Sequence, residues 1–160
     1  MPSQVLSTHV SADPYAGSWL RFLRAHAALT RELSSRLEAA HRISLRDFDV
    51  LVQLYFAPEH RLRRIDLART VILSPSGITR LLEGLERSGW VAKHQCESDA
   101  RVTWAVLTDA GVEKVEACRP THLADVEELF GSRFSPEEQE QLAEMLARLP
   151  LHDAGDACNG

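Results

Sequence analysis

SPSGITRLLEGLERSGW, residues 74–90, is the stretch whose reading decides the fold. Ser74 has the short hydroxyl side chain that caps a helix N-terminus, and Pro75 suits the first helical position, where no N–H is needed. Ile78, Leu81, Leu82 and Leu85 then recur at helical spacing and form one apolar stripe, and Gly89 supplies the stop. The opposite face carries Ser74, Ser76, Gly77, Thr79, Arg80, Glu83 and Arg87. Its first turn is small and polar, so the backbone can approach a duplex closely. Helix N-terminal amides and serine hydroxyls favour a phosphate oxygen there. Arg80 has the fork geometry that pairs with guanine O6 and N7, a contact worth about 1–3 kcal/mol of base discrimination. A solvated helix face carries the same residue types, so the neighbouring segments decide between the two readings.

On the downstream side, Val102, Trp104 and Val106 alternate with Thr103 and Ala105, the pattern of a half-buried strand. Trp90 to Gln95 can pair with it antiparallel, and the polar Glu97 to Ala100 stretch supplies the turn. Within that turn Asp99 precedes Arg101 by two residues, close enough for the carboxylate to restrain the guanidinium. An arginine presented this way fits a narrow minor groove. On the upstream side, a short helix is expected at about 62–70 with Leu62, Ile65 and Ala68 inward, joined to the first stretch by Val71, Ile72 and Leu73. Ser44 and Asp47 form a capping pair for a helix with Leu45, Phe48, Leu51, Leu54 and Tyr55 on one face, ended by Pro58. From Tyr15 a long helix is expected, with Trp19, Leu23, His26, Leu33 and Leu37 on one face. It is longer than a small core requires, and its spare apolar length suggests a partner chain.

Beyond the hairpin, Thr108 caps a fifth helix, which Pro120 is expected to kink or break. Ser135-Pro136-Glu137-Glu138 starts a last helix with Leu142, Met145, Leu146 and Leu149 on its apolar face, stopped by Pro150. The chain therefore reads as mainly α with a small β-hairpin wing. The expected divisions are a flexible N-terminus (1–14), an N-terminal dimerisation helix (15–43), a winged helix-turn-helix DNA-binding domain (44–107), C-terminal dimerisation helices (108–150) and a flexible tail (151–160).

Net charge is −5, which at first argues against a nucleic-acid partner. The distribution reverses that impression. Residues 1–59 balance six arginines against six acids; residues 60–105 set eight basic residues against five acids; residues 106–160 set four against twelve. The middle third is a basic patch and the last third an acidic flank. No apolar run is long enough to span a bilayer, and the first residues lack a secretory layout, so a cytoplasmic location is expected. P-loop, dinucleotide-binding, HExxH and GxSxG motifs are absent, which removes the usual enzyme readings. No cofactor or metal is implied.

Taken in order, Leu67-Ala68, the run Ser74 to Lys93, Asp99-Ala100-Arg101 and Leu107-Thr108-Asp109-Ala110-Gly111 resemble the MarR family over roughly residues 15–150. Any one piece is weak; the ordered set is specific. The resemblance implies a homodimer with intertwined N- and C-terminal helices, its two winged domains on adjacent major grooves of double-stranded DNA. It implies base and backbone contacts by Ser74, Ser76, Thr79 and Arg80, with Lys93 in the wing strand and a wing Arg101 held by Asp99. It also implies a repressor released by a small, aromatic or anionic, ligand. A stacking platform with a cation would suit such a ligand, and Trp19, Arg24, His26 and Tyr55 are the candidate residues, against the simpler reading of Trp19 and His26 as dimer-core residues.

The cysteines Cys96, Cys118 and Cys158 form no disulfide framework or metal knuckle. Cys118 and His122 share a helix face, but no further ligand lies in sequence reach. Cys96 beside His94 and Lys93 is a candidate redox-sensing thiol. The peroxide-sensing branch of the family carries its cysteine near the start of the first helix, where this chain has none. Two alternatives thus stand beside the ligand-responsive regulator: a redox sensor through Cys96, and a helical interaction module without DNA binding.

Overall fold

The computed structural model describes residues 13–71, 75–95 and 101–150. In chain order these form α1 (Ala16–His41), α2 (Leu45–Phe56), β1 (Arg61–Arg63), α3 (Arg64–Thr70), α4 (Pro75–Arg87), β2 (Val91–Gln95), β3 (Thr103–Leu107), α5 (Asp109–Leu129) and α6 (Pro136–Leu146). The flexible termini expected from the sequence, and the Glu97–Ala100 turn, lie outside the described residues.

Local chemistry sets most boundaries. Ser44 Oγ accepts from Asp47 N at 3.1 Å to start α2, and Thr108 Oγ1 accepts from Gly111 N at 3.1 Å to start α5. At α6, Ser135 and Glu138 form a reciprocal capping box. The end of α4 is a Schellman turn: Gly89 sits at φ 76° and donates to Glu86 O, while Trp90 N donates to Leu85 O. That turn feeds directly into β2, so the end of α4 and the base of the wing are one rigid joint.

The core is a single apolar cluster drawn from every layer. Leu37 of α1, Phe48, Val50, Leu51 and Leu54 of α2, Leu67 of α3, Ile78, Leu82 and Leu85 of α4, and Val115 and Cys118 of α5 are all buried. Burial at this level, about 25 cal/mol per Å² of apolar surface, holds short helices that would not persist alone. The sheet order is β1-β3-β2, both pairings antiparallel, with Val91 opposite Leu107 and Gln95 opposite Thr103.

Four features differ from the sequence expectation. Residues 61–63 are a strand paired to β3 (Arg61 with Val106, Arg63 with Trp104), so the wing has three strands. The helix then begins at Arg64 rather than 62, and helical spacing counted from Leu62 does not apply. Leu67 consequently points inward, and Ile65 is 58% exposed. In β3 the buried phase is Ala105 and Leu107, while Trp104 lies on the other face beneath the Arg61 guanidinium, 5.1 Å from its ring centre. Lastly, α5 runs through Pro120 without ending. Both sides of the proline are anchored, by buried Val115 and Cys118 before it and by a 3.0 Å His41–Thr121 hydrogen bond after it.

α1 divides in two. Its C-terminal part is tied to α5: Arg36 reaches Asp125 at 2.9 Å and Glu128 at 3.0 Å, and Lys114 Nζ donates to His41 O at 2.6 Å. Among the described residues its N-terminal part has no such cover. Trp19 is 58% and Phe22 42% exposed, their rings stacked 6.3 Å apart, and Leu23 is exposed as well. Leu123 of α5, Met145 of α6 and Leu149 just after it leave a second exposed apolar set.

Candidate nucleic-acid interface

α3 and α4, joined by a short connection and followed by the three-stranded wing, place α4 with one face in the core and the other outward. Ile78, Leu82 and Leu85 occupy the inner stripe, so residues roughly 130–190° round the helix must face away. Arg80, Glu83 and Arg87 are exposed accordingly. No ion pair holds Arg80, Arg87 or Lys93 among the described residues.

The predicted contact residues do not all share one surface. Thr79 is half-buried on the flank of α4 that meets α3, and its Oγ1 accepts from the Arg64 guanidinium. Lys93 is exposed on the sheet face turned toward α4, where it lines a cleft with Arg64, Thr79, Glu83 and Glu86. Arg101 is exposed just ahead of β3. Ser74 and Asp99 lie outside the described residues, as do Cys96 and the side chain of Ser76.

Neighbouring cations are partly neutralised. Arg61 pairs with Glu59 at 2.5 Å and Arg63 with Asp66 at 2.6 Å, and Arg69 lies 3.9 Å from Asp66. Arg64 is the residue that sequence reasoning missed. It stands in the basic run 61–64, but its partner is fifteen positions away and no periodicity reports such a pair.

The ligand candidates are separated within one chain. Tyr55 Oη donates to Glu116 at 3.3 Å near the wing side of α5. Trp19, Arg24 and His26 are exposed on the far part of α1. Trp19 lies about 25 Å along the helix axis from Arg36, which already meets the distal end of α5. A cleft lined by all four residues is therefore not formed by a single chain. Cys118 is buried, and burial pushes its thiol above the usual range. His122 packs edge-on against Phe48 at 5.2 Å with its Nδ1 buried and unpartnered, and burial lowers its pKa. No group of three or more metal-ligating side chains exists among the described residues, and no described helix is long and apolar enough to cross a membrane.

A helix-turn-helix whose second helix is solvent-facing, flanked by a small antiparallel wing, defines the winged helix-turn-helix class. A family profile described as the MarR family matches residues 43–103. The HTH-type transcriptional regulator YkoM of Bacillus subtilis is 31% identical over 131 residues, covering 82% of both chains. The HTH-type transcriptional repressor YetL of the same organism is 31% identical over 111 residues, 69% of this chain and 66% of that one. Among solved structures, the MarR family regulator Sco3205 of Streptomyces coelicolor, in complex with DNA, is 30% identical with a TM-score of 0.78, covering 81% of each chain. The chain belongs to the MarR family of transcriptional regulators.

Proposed function

We propose that this regulator acts as a homodimer on a pseudo-palindromic site, each α4 lying in a major groove and each wing placing Arg101 on the flanking DNA. The observation that carries the reading is the two-faced α4: an inner stripe of Ile78, Leu82 and Leu85 locked in the core, and an outer face presenting Arg80. Sco3205, of the same fold, is in complex with DNA. Ser74, Ser76, Thr79 and Arg80 are assigned to the groove, Lys93 and the Asp99–Arg101 pair to the wing, with residues 44–107 as the DNA-binding unit.

The exposed apolar sets on α1 and α6 support the homodimer, with residues 15–43 and 108–150 supplying its contacts. Patches of this kind rarely stay uncovered. Repression in the cytoplasm, relieved by a small aromatic or anionic ligand, completes the reading; the Trp19–Phe22 stack, with Arg24 and His26 nearby, offers an aromatic surface with adjacent cations.

Fluorescence anisotropy with the DNA upstream of its own gene tests this directly. Arg101→Ala should weaken binding to all sequences and flatten the salt dependence; Arg80→Ala should relax preference at one base pair in a site selection. Absence of binding to any duplex at low salt overturns the reading.

A further inference from the structure

Resting on the DNA-binding reading above, we propose that Arg64 is a positioning residue for sequence recognition, setting the rotation of α4 about its own axis. Arg64 is the first residue of α3, half-buried, and its Nη2 donates to Thr79 Oγ1 on the adjoining flank of α4. Arg80, the residue proposed to read a base, is the next along the chain.

The inner stripe seats α4 in the core and the Gly89 turn holds its C-terminal end, which leaves the fine rotation of its first turns to contacts on its flanks. Contacts of Ile78, Leu82 and Leu85 with the core are non-directional, so a small roll exchanges one set of van der Waals neighbours for another. A hydrogen bond from a planar guanidinium is directional and resists that roll. The geometry makes the consequence large. At the ~6 Å outer radius of a helix, a roll of about 20° moves a side-chain tip by about 2 Å. A base-edge hydrogen bond tolerates only a few tenths of an ångström around ~2.9 Å. Thr79 and Arg80 lie about 100° apart around the axis, so tying the first fixes the bearing of the second. Arg64 lines the cleft between α4 and the wing together with Thr79, Glu83, Glu86 and Lys93, so polar groups share the space beside the helix with it.

Arg64 thus acts through Thr79, and its signature is lost discrimination rather than lost attraction. The test measures affinity for a duplex selected by the wild-type dimer and for a scrambled duplex, across salt concentrations, for wild type, Arg64→Ala, Thr79→Val and the double variant. Arg64→Met, which keeps the methylene stem, covers the case in which the alanine variant fails to fold by circular dichroism. The ratio of the two affinities is expected to fall at least fivefold in Arg64→Ala, the scale of one lost bidentate base contact. In Arg64→Ala the scrambled-duplex affinity should change less than about twofold, and on the selected duplex the double variant should lose no more than the worse single variant. Equal weakening on both duplexes with a shallower salt slope would make Arg64 a plain phosphate contact and overturn the proposal. Additive losses in the double variant, or an unchanged ratio in Arg64→Ala, would also overturn it. Failure of the wild type to bind any duplex would instead overturn the DNA-binding reading itself.

Discussion

Replacing Gly111 by alanine tests how tightly the wing is seated on the first turn of α5. A Cβ built at this buried position would stand 2.2 Å from Trp90 O and 2.6 Å from Leu107 Cδ1. Ordinary carbon–oxygen contacts begin near 3.3 Å, so the first turn of α5 or the Trp90 peptide must move by about 1 Å. Neither moves easily. Trp90 O accepts from Thr108 N at 3.0 Å, Thr108 Oγ1 accepts from Gly111 N, and Val91 is in the β2–β3 ladder. Overpacking of this kind costs about 1–3 kcal/mol, and loss of the Thr108–Trp90 hydrogen bond about 1 more. The reduced entropy of the unfolded chain returns about 0.5–1 kcal/mol. The net is a destabilisation of about 1–3.5 kcal/mol, or about 2–14 °C in melting temperature for a chain of this length. Gly84→Ala is the control with the opposite sign. It lies inside α4, where a new Cβ would meet Arg87 Nη2 at 3.8 Å, an ordinary van der Waals contact, and it should stabilise by about 0.5–1 kcal/mol. Thermal unfolding at one fixed protein concentration reads both, because the proposed dimerisation would make melting concentration-dependent. A Gly111→Ala protein melting at or above the wild-type temperature would refute the reasoning.

Gly89→Ala places a side chain at φ 76° in the Schellman turn and should cost about 1–2 kcal/mol, read by urea unfolding, while lowering DNA affinity because α4 ends there. Trp19→Glu combined with Phe22→Glu should convert a dimer to a monomer in sedimentation velocity with unchanged helix content, since both side chains are already exposed in one chain. His122 is held neutral by burial, against the pull of Asp125 on its own helix and Asp49 on α2. The folded state therefore binds protons less readily than the unfolded one. This contribution is present above the ordinary titration range near 6.5 and is lost as pH falls through it. Stability of the wild type should decline between about pH 7.5 and 5 more steeply than that of His122→Gln, measured by denaturant midpoint.

Helix positions were readable because caps and apolar spacing are local. Ser44, Thr108 and Ser135 announce starts, and Gly89 announces a stop, whatever the tertiary context. Strand β1 was not readable. Arg-Leu-Arg is three residues long and becomes a strand only because β3 lies beside it. The phase of β3 misleads for a related reason: Trp104 is the larger apolar group, yet small Ala105 and Leu107 fit against the helices while the indole is covered by Arg61. Pro120 shows tertiary anchoring overriding a strong local breaker. In the candidate interface, the outward bearing of Arg80 followed from periodicity, whereas the Arg64–Thr79 link and the bearing of Lys93 into the cleft depend on how α3, α4 and the sheet are packed together.

The charge layout bears on how an acidic chain holds a polyanion. Residues 60–105 carry a surplus of three positive charges, but Arg61, Arg63 and Arg69 are committed to Glu59 and Asp66, and on α4 Glu83 and Glu86 offset Arg80 and Arg87. Attraction must then come from a few placed cations together with the amides at the start of α4, not from a broad positive field. About three phosphates per protomer and six per dimer would be neutralised, giving a slope of log affinity against log salt of about −5. In the proposed dimer the acidic last third would repel the duplex from α5 and α6 and leave one face to be presented. A modest electrostatic term leaves discrimination to side-chain geometry. That is why the rotation of α4, more than the number of arginines, governs how well this regulator finds its site.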